Sequence, residues 1–72
     1  MQKVKLKAHA IRRYLAKKSR SQNWFARHIG ISSGYLSQML NGTRDPSPRM
    51  RRKILDTLSS YDFDDLFTLG GR

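Results

Sequence analysis

Between Ser33 and Asn41 the chain carries short hydroxyl and amide side chains at helical spacing. With Leu36 turned inward, 100° per residue puts Gly34, Ser37, Gln38 and Asn41 on the opposite side. Ser33 then sits at the N-terminal tip and Tyr35 on a flank. No Lys or Arg interrupts this face. Groups of this kind suit the edges of base pairs in a major groove, whose donor and acceptor patterns differ from pair to pair. Gln38 is the best suited, because one amide bonds adenine N6 and N7 together. Ser33 can bond several bases and so discriminates weakly, while Tyr35 offers a ring for thymine methyls or a hydroxyl for phosphate. Gly34 lets the helix come close, at about 1 kcal/mol of helix propensity relative to Ala. Ser33, Gly34, Tyr35, Ser37 and Gln38 are therefore the candidate base contacts.

A reader of bases needs a frame of phosphate contacts. Gln22 presents an amide at a helix N-terminus, a natural anion site. The loop Asn41-Gly42-Thr43-Arg44 offers backbone N–H groups, a hydroxyl and a guanidinium. Arg27, Arg49, Arg51 and Arg52 are further candidates. Residues 1–53 hold fourteen Lys and Arg against one acid, Asp45, for a net charge of +13; residues 54–72 hold four acids and one Arg, for −3. A basic body with an acidic end points to a polyanionic partner and a face turned away from it. Arg49, Arg51, Arg52 and Lys53 fall in the first turn of an expected helix, where they oppose its dipole. Local stability does not explain them, and anion binding does.

The same inventory speaks against other chemistries. His9 and His28 are isolated, cysteine is absent, and the few acids form no ligand cluster with either histidine. Ser, His and Asp occur, but a triad needs a pocket and an orienting carboxylate. The expectation is a non-enzyme with no metal, no cofactor and no small-molecule ligand. The N-terminal MQKVKLKAHAIRR is basic without the apolar run of a signal peptide. No stretch approaches the ~20 apolar residues of a membrane span, so the expected location is the cytoplasm. At 72 residues one domain is expected over residues 1–72, small enough to be marginal unless helix packing or a partner subunit supports it.

The elements that position the face follow from periodicity and caps. Val4, Ala8, Ile11 and Leu15 share a helical face, giving a first helix from Lys5 or Lys7 to Lys18, with Ser19-Arg20 as connector. The residues before it fit a frayed turn, a short strand or a flexible arm. Ser21 caps a second helix that buries Phe25, Ala26 and Ile29 and stops at Gly30, where a left-handed residue is cheap. Ser32 caps a third, from about Ser33 to Leu40, burying Leu36, Met39 and Leu40 and ending at Asn41-Gly42. Ile31 plugs the corner between them. Ser47-Pro48 opens a fourth helix with Met50, Ile54 and Leu58 inward. Asp62 caps a last short one, about 62–68, with Asp64 and Asp65 in its first turn. Leu69-Gly70-Gly71-Arg72 reads as frayed and no useful β-alternation is visible, so the expected fold is five short helices around one core.

Two short helices joined by a tight Gly-containing turn are the helix-turn-helix pattern, here over residues 21–42. Ser21-Gln22, Phe25-Ala26, Ile29-Gly30-Ile31-Ser32, Leu36-Ser37, Met39 and Asn41-Gly42, followed by Pro46, resemble the phage Cro/repressor-type (XRE-type) helix-turn-helix family without gaps. The tail Phe63-Asp64-Asp65-Leu66-Phe67 resembles the end of its short members. The resemblance covers roughly residues 8–67. It implies an all-α, lambda-repressor-like DNA-binding domain of prokaryotic or phage type, with Gln22 on phosphate. Phe25 stands where Leu is usual, Trp24 where a polar residue is usual, and Arg20 where an apolar one is usual. Leu15 and Leu40 stand where family members often carry a buried Arg–Glu pair, so an apolar contact is expected there instead.

The leading expectation is thus a sequence-specific regulator of transcription on double-stranded DNA, with helix 33–40 in the major groove. Two copies on a two-fold site are expected. The Tyr61–Leu69 region either forms that homodimer surface or closes the monomer core. Trp24 either packs over Arg20 and the first helix or meets DNA or a partner. The alternatives are a protein-interaction or antitoxin-like module docking through the acidic, aromatic C-terminal segment, and a nonspecific nucleic-acid binder driven by charge.

Overall fold

The computed structural model describes residues 3–70. Its elements run β1 (Lys3–Leu6), α1 (Ala8–Lys18), α2 (Gln22–Ile29), α3 (Ser33–Leu40), α4 (Pro48–Thr57), α5 (Phe63–Leu66) and β2 (Phe67–Gly70). All five expected helices are present, with differences at the start of the first and the end of the last. Three serines act alike: Ser21, Ser32 and Ser47 accept from the backbone N–H groups of Trp24, Tyr35 and Met50 at 3.0, 3.1 and 3.1 Å. Pro48 opens α4. Gly30 and Gly42 both take φ of +80°, the left-handed conformation that ends α2 and turns the chain after α3. Ser19 adopts a left-handed φ of 54° at the end of α1, where its N–H reaches Ala16 O and that of Arg20 reaches Leu15 O.

Expectations for the two ends of the chain are overturned. The fold is not all-α, because its two ends form an antiparallel pair, with Lys3 opposite Gly70, Val4 opposite Leu69, Lys5 opposite Thr68 and Leu6 opposite Phe67. Leu69 and Gly70 are strand rather than frayed tail, while Gly71 and Arg72 lie outside the described residues. The last helix stops at Leu66, short of residue 68, because Phe67 is already extended (φ −133°, ψ 155°). The first helix starts at Ala8, because Lys3–Leu6 is strand. Lys7 fastens the junction twice: its N–H donates to Leu66 O at 2.7 Å and its Nζ to Asp64 O at 2.7 Å.

The pair is held by what it buries. Val4 and Leu6 face inward and Lys3 faces water, while Phe67 is nearly inaccessible. They join Ile11 and Leu15 of α1, Phe25, Ala26 and Ile29 of α2, Leu36, Met39 and Leu40 of α3, Met50 and Ile54 of α4, Leu58 and Leu66 in one cluster. Ile31 packs against it from the corner, as expected. Leu15 and Leu40 both belong to this cluster, and no polar or charged residue is buried among the described residues. The interior therefore carries no ion pair whose desolvation would have to be offset. Tyr14 meets Phe25 and Tyr61 edge-on, each at 6.0 Å between centroids.

Candidate nucleic-acid interface

Helix α3 is buried on one side and bare on the other. Leu36, Met39 and Leu40 anchor it, α2 lies against it, and β1 supports it from a third direction. Ser33, Gly34, Gln38 and Asn41 are exposed, with Tyr35 and Ser37 half-buried on the flanks. A Cβ added at Gly34 would meet no atom of the rest of the chain within 4 Å, so the space above Gly34 is open. The condition set by helical geometry, that Leu36 points inward and this face outward, is met.

The flanks divide into two groups. Asn23, Ala26 and Arg27 of α2 line, with Ile31, Ser32 and Ser33, an open cleft of about 330 Å³ beside the start of α3. Arg27 thus shares a surface with the N-terminal tip of the face. Gln22 is exposed in the first turn of α2, where backbone N–H groups have no helical acceptor. Arg51 and Arg52 lie elsewhere. With Pro48, Leu55, Asp56 and Phe63 they line a groove of about 340 Å³ between α4 and α5, and Arg51 Nε is buried there without a hydrogen-bond partner. Arg49 stays exposed in the first turn of α4.

The loop after α3 is more committed than its composition indicates. The N–H groups of Asn41, Gly42 and Thr43 donate to Ser37 O, Met39 O and Gln38 O at 2.9, 3.2 and 3.0 Å, and Thr43 Oγ1 also donates to Gln38 O at 3.2 Å. These donors cap α3, so a phosphate contact through Thr43 Oγ–H would require breaking a cap. Asn41 keeps its side-chain amide. Arg44 does not extend from the loop but folds back along the face. Its Nη1 donates to Gln38 Oε1 at 3.2 Å, and its guanidinium lies 4.5 Å from the centroid of the Tyr35 ring.

Sequence spacing did not single out Lys5. Its Nζ donates to Gly42 O at 3.1 Å and pairs with Asp45 Oδ1 at 2.7 Å, tying β1 to the turn that closes α3. The available signal was the alternation Lys3-Val4-Lys5-Leu6, which marks a strand with its cations on one side. Trp24 is half-buried against the core, with His28 stacked on it at 4.7 Å and the Arg20 guanidinium 5.0 Å from its ring.

A capped two-helix unit with a left-handed Gly turn, a polar outward second helix and a basic surround defines a helix-turn-helix domain. The comparison with known families agrees. The family model HTH_3, described as helix-turn-helix, matches residues 11–66, and the chain belongs to this family, of the XRE/Cro/C1 type. It is a helix-turn-helix DNA-binding regulator, in a family that is generally regulatory and not enzymatic. No curated protein and no solved structure matches the chain. Among the described residues no helix is long and apolar enough to cross a membrane.

Proposed function

We propose that the chain regulates transcription by binding a specific duplex sequence, with α3 seated in the major groove. The observation that carries this reading is the outward polar face of α3, exposed at Ser33, Gly34, Gln38 and Asn41 and open above Gly34. An α-helix enters a major groove only if no other backbone segment of its own chain stands in front of it. Ser33, Gly34, Tyr35, Ser37 and Gln38 contact bases in this reading. Gln22, Arg27, Asn41, Thr43, Arg49, Arg51 and Arg52 hold phosphates in the same reading. One such domain covers few base pairs, so two copies on a two-fold site are expected.

The C-terminal segment bears on both dimer formation and the interaction-module alternative. Leu66 and Phe67 are spent in the core, and Tyr61 and Phe63 pack against it. Leu69 is the one large apolar side chain left exposed among the described residues, at 55%. A docking segment that must also complete the core has little to offer a partner, which favours the DNA reading. Leu69 on β2 is the place for a dimer contact.

Selection of binding sites from random duplexes at physiological salt tests the reading. An enriched, two-fold site is expected, with Gln38→Ala losing about 1–3 kcal/mol of discrimination at one position. Equal binding to all duplexes would show a charge-driven binder, and no binding a protein-interaction module.

A further inference from the structure

Arg44 leaves its loop to lie on the reading face, and the company it keeps there suggests a role different from phosphate binding. We infer that Arg44 is itself a base reader, its guanidinium held by Gln38 Oε1 and the Tyr35 ring so that its free edge meets the O6 and N7 of a guanine. The inference rests on the placement of α3 in the major groove. If the outward side of α3 enters the groove, a guanidinium laid across Tyr35 and Gln38 enters with it.

Three observations converge. First, the Nη1–Oε1 bond of 3.2 Å uses one of five guanidinium N–H donors. The rest of the planar fork stays free, and such a fork matches the paired acceptors of guanine. Second, the guanidinium carbon lies 4.5 Å from the Tyr35 centroid, within the range where a cation is drawn to a ring face. Third, the acid next to Arg44 in the chain does not compete for it. Asp45 is taken by Lys5 at 2.7 Å. Lys5 is thus a positioning residue, keeping Asp45 from drawing the guanidinium off the face. Gln38 acquires a second duty, since one of the two lone pairs of its amide oxygen already accepts from Arg44. The combined reader, Gln38 with Arg44, favours a guanine where Gln38 alone would favour an adenine.

The test uses the full chain and the duplex it selects. Affinity is measured on that duplex and on versions with each guanine replaced in turn, for the wild type, Arg44→Lys, Tyr35→Phe and Tyr35→Leu, over a range of salt. At one guanine the wild type is expected to lose about 10- to 100-fold on replacement. Arg44→Lys keeps the charge and loses the fork, so the penalty there should shrink to within about threefold while the salt slope stays unchanged. Tyr35→Phe should retain the preference and Tyr35→Leu weaken it, because the ring face and not the hydroxyl carries the group. A selected site whose preferences survive Arg44→Lys overturns the inference alone. So does an Arg44→Ala variant that weakens all duplexes evenly and lowers the salt slope by about 0.9, the mark of one phosphate contact. Absence of any selected site for the wild type overturns the major-groove reading, and this inference with it.

Discussion

Gly34→Ala separates the stability of α3 from its use. Gly34 is the second residue of the helix, its φ is not positive, and an added methyl meets nothing within 4 Å. Ala is favoured over Gly inside a helix by about 0.5–1 kcal/mol. A domain of this size shifts its Tm by about 4–8 °C per kcal/mol. The variant should therefore melt about 2–8 °C higher, read by circular dichroism. On DNA the sign reverses. The methyl would stand between the helix and the base edges, and forcing an extra methyl into a packed contact typically costs about 1–3 kcal/mol. That is a loss of roughly 5- to 150-fold in affinity for the selected duplex, measured by fluorescence anisotropy. A stabilised variant that binds as well as the wild type, or better, would refute the placement of Gly34 at the closest approach. A variant that fails to melt higher would refute the local account of α3.

Phe67→Ala should cost about 3–5 kcal/mol, because the ring is nearly inaccessible and holds β2 against the core; thermal melting should show loss of most of the native transition. Leu69→Lys should leave stability within about 0.5 kcal/mol and lower the cooperativity of binding to a two-fold site, checked by sedimentation and by titration of half-sites. Unaltered cooperativity would move the dimer contact away from β2. Lys5→Met should cost no more than about 1 kcal/mol, since exposed ion pairs contribute little, yet weaken DNA binding by freeing Asp45 beside Arg44. The double variant Lys5→Met, Asp45→Asn should recover most of that binding in a double-mutant cycle. If it does not, Lys5 acts through a contact of its own.

The helices were legible because each is specified locally. Ser21, Ser32 and Ser47 are caps whose partners lie three residues on, Gly30 and Gly42 need only their own φ, and the buried faces recur at helical spacing. The strand pair was not legible for the opposite reason. Four residues at either end give at most two alternations. Each strand is completed only by a partner more than sixty positions away, a relation no local period reveals. Arg44 illustrates the same limit at the candidate interface. Its position after a Gly turn indicates a loop cation, and its type fits a phosphate. What sets its orientation is the pair of side chains it folds onto, Tyr35 and Gln38, which the loop sequence does not encode. The outward face itself was readable, because one inward residue, Leu36, fixes the direction of every other side chain on α3.

The charge division along the chain has two causes. Asp62, Asp64 and Asp65 surround the start of α5, where acids favour the helix, and Asp65 Oδ2 accepts from the Asp62 N–H at 2.8 Å. They stabilise the turn that leads into β2. The cations of α4 do the reverse. Arg49 and Arg51 follow Pro48 in a first turn that disfavours positive charge, and Arg51 carries a buried Nε without a partner. A chain this small has little stability to spare, yet it keeps cations where its own helix is weakened by them. A bound polyanion near that turn would reverse the sign, replacing a repulsion within the protein by an attraction across the interface. Binding would then stabilise α4 as well as hold the duplex, and the thermal midpoint should rise most at low salt, where both the repulsion and its relief are least screened.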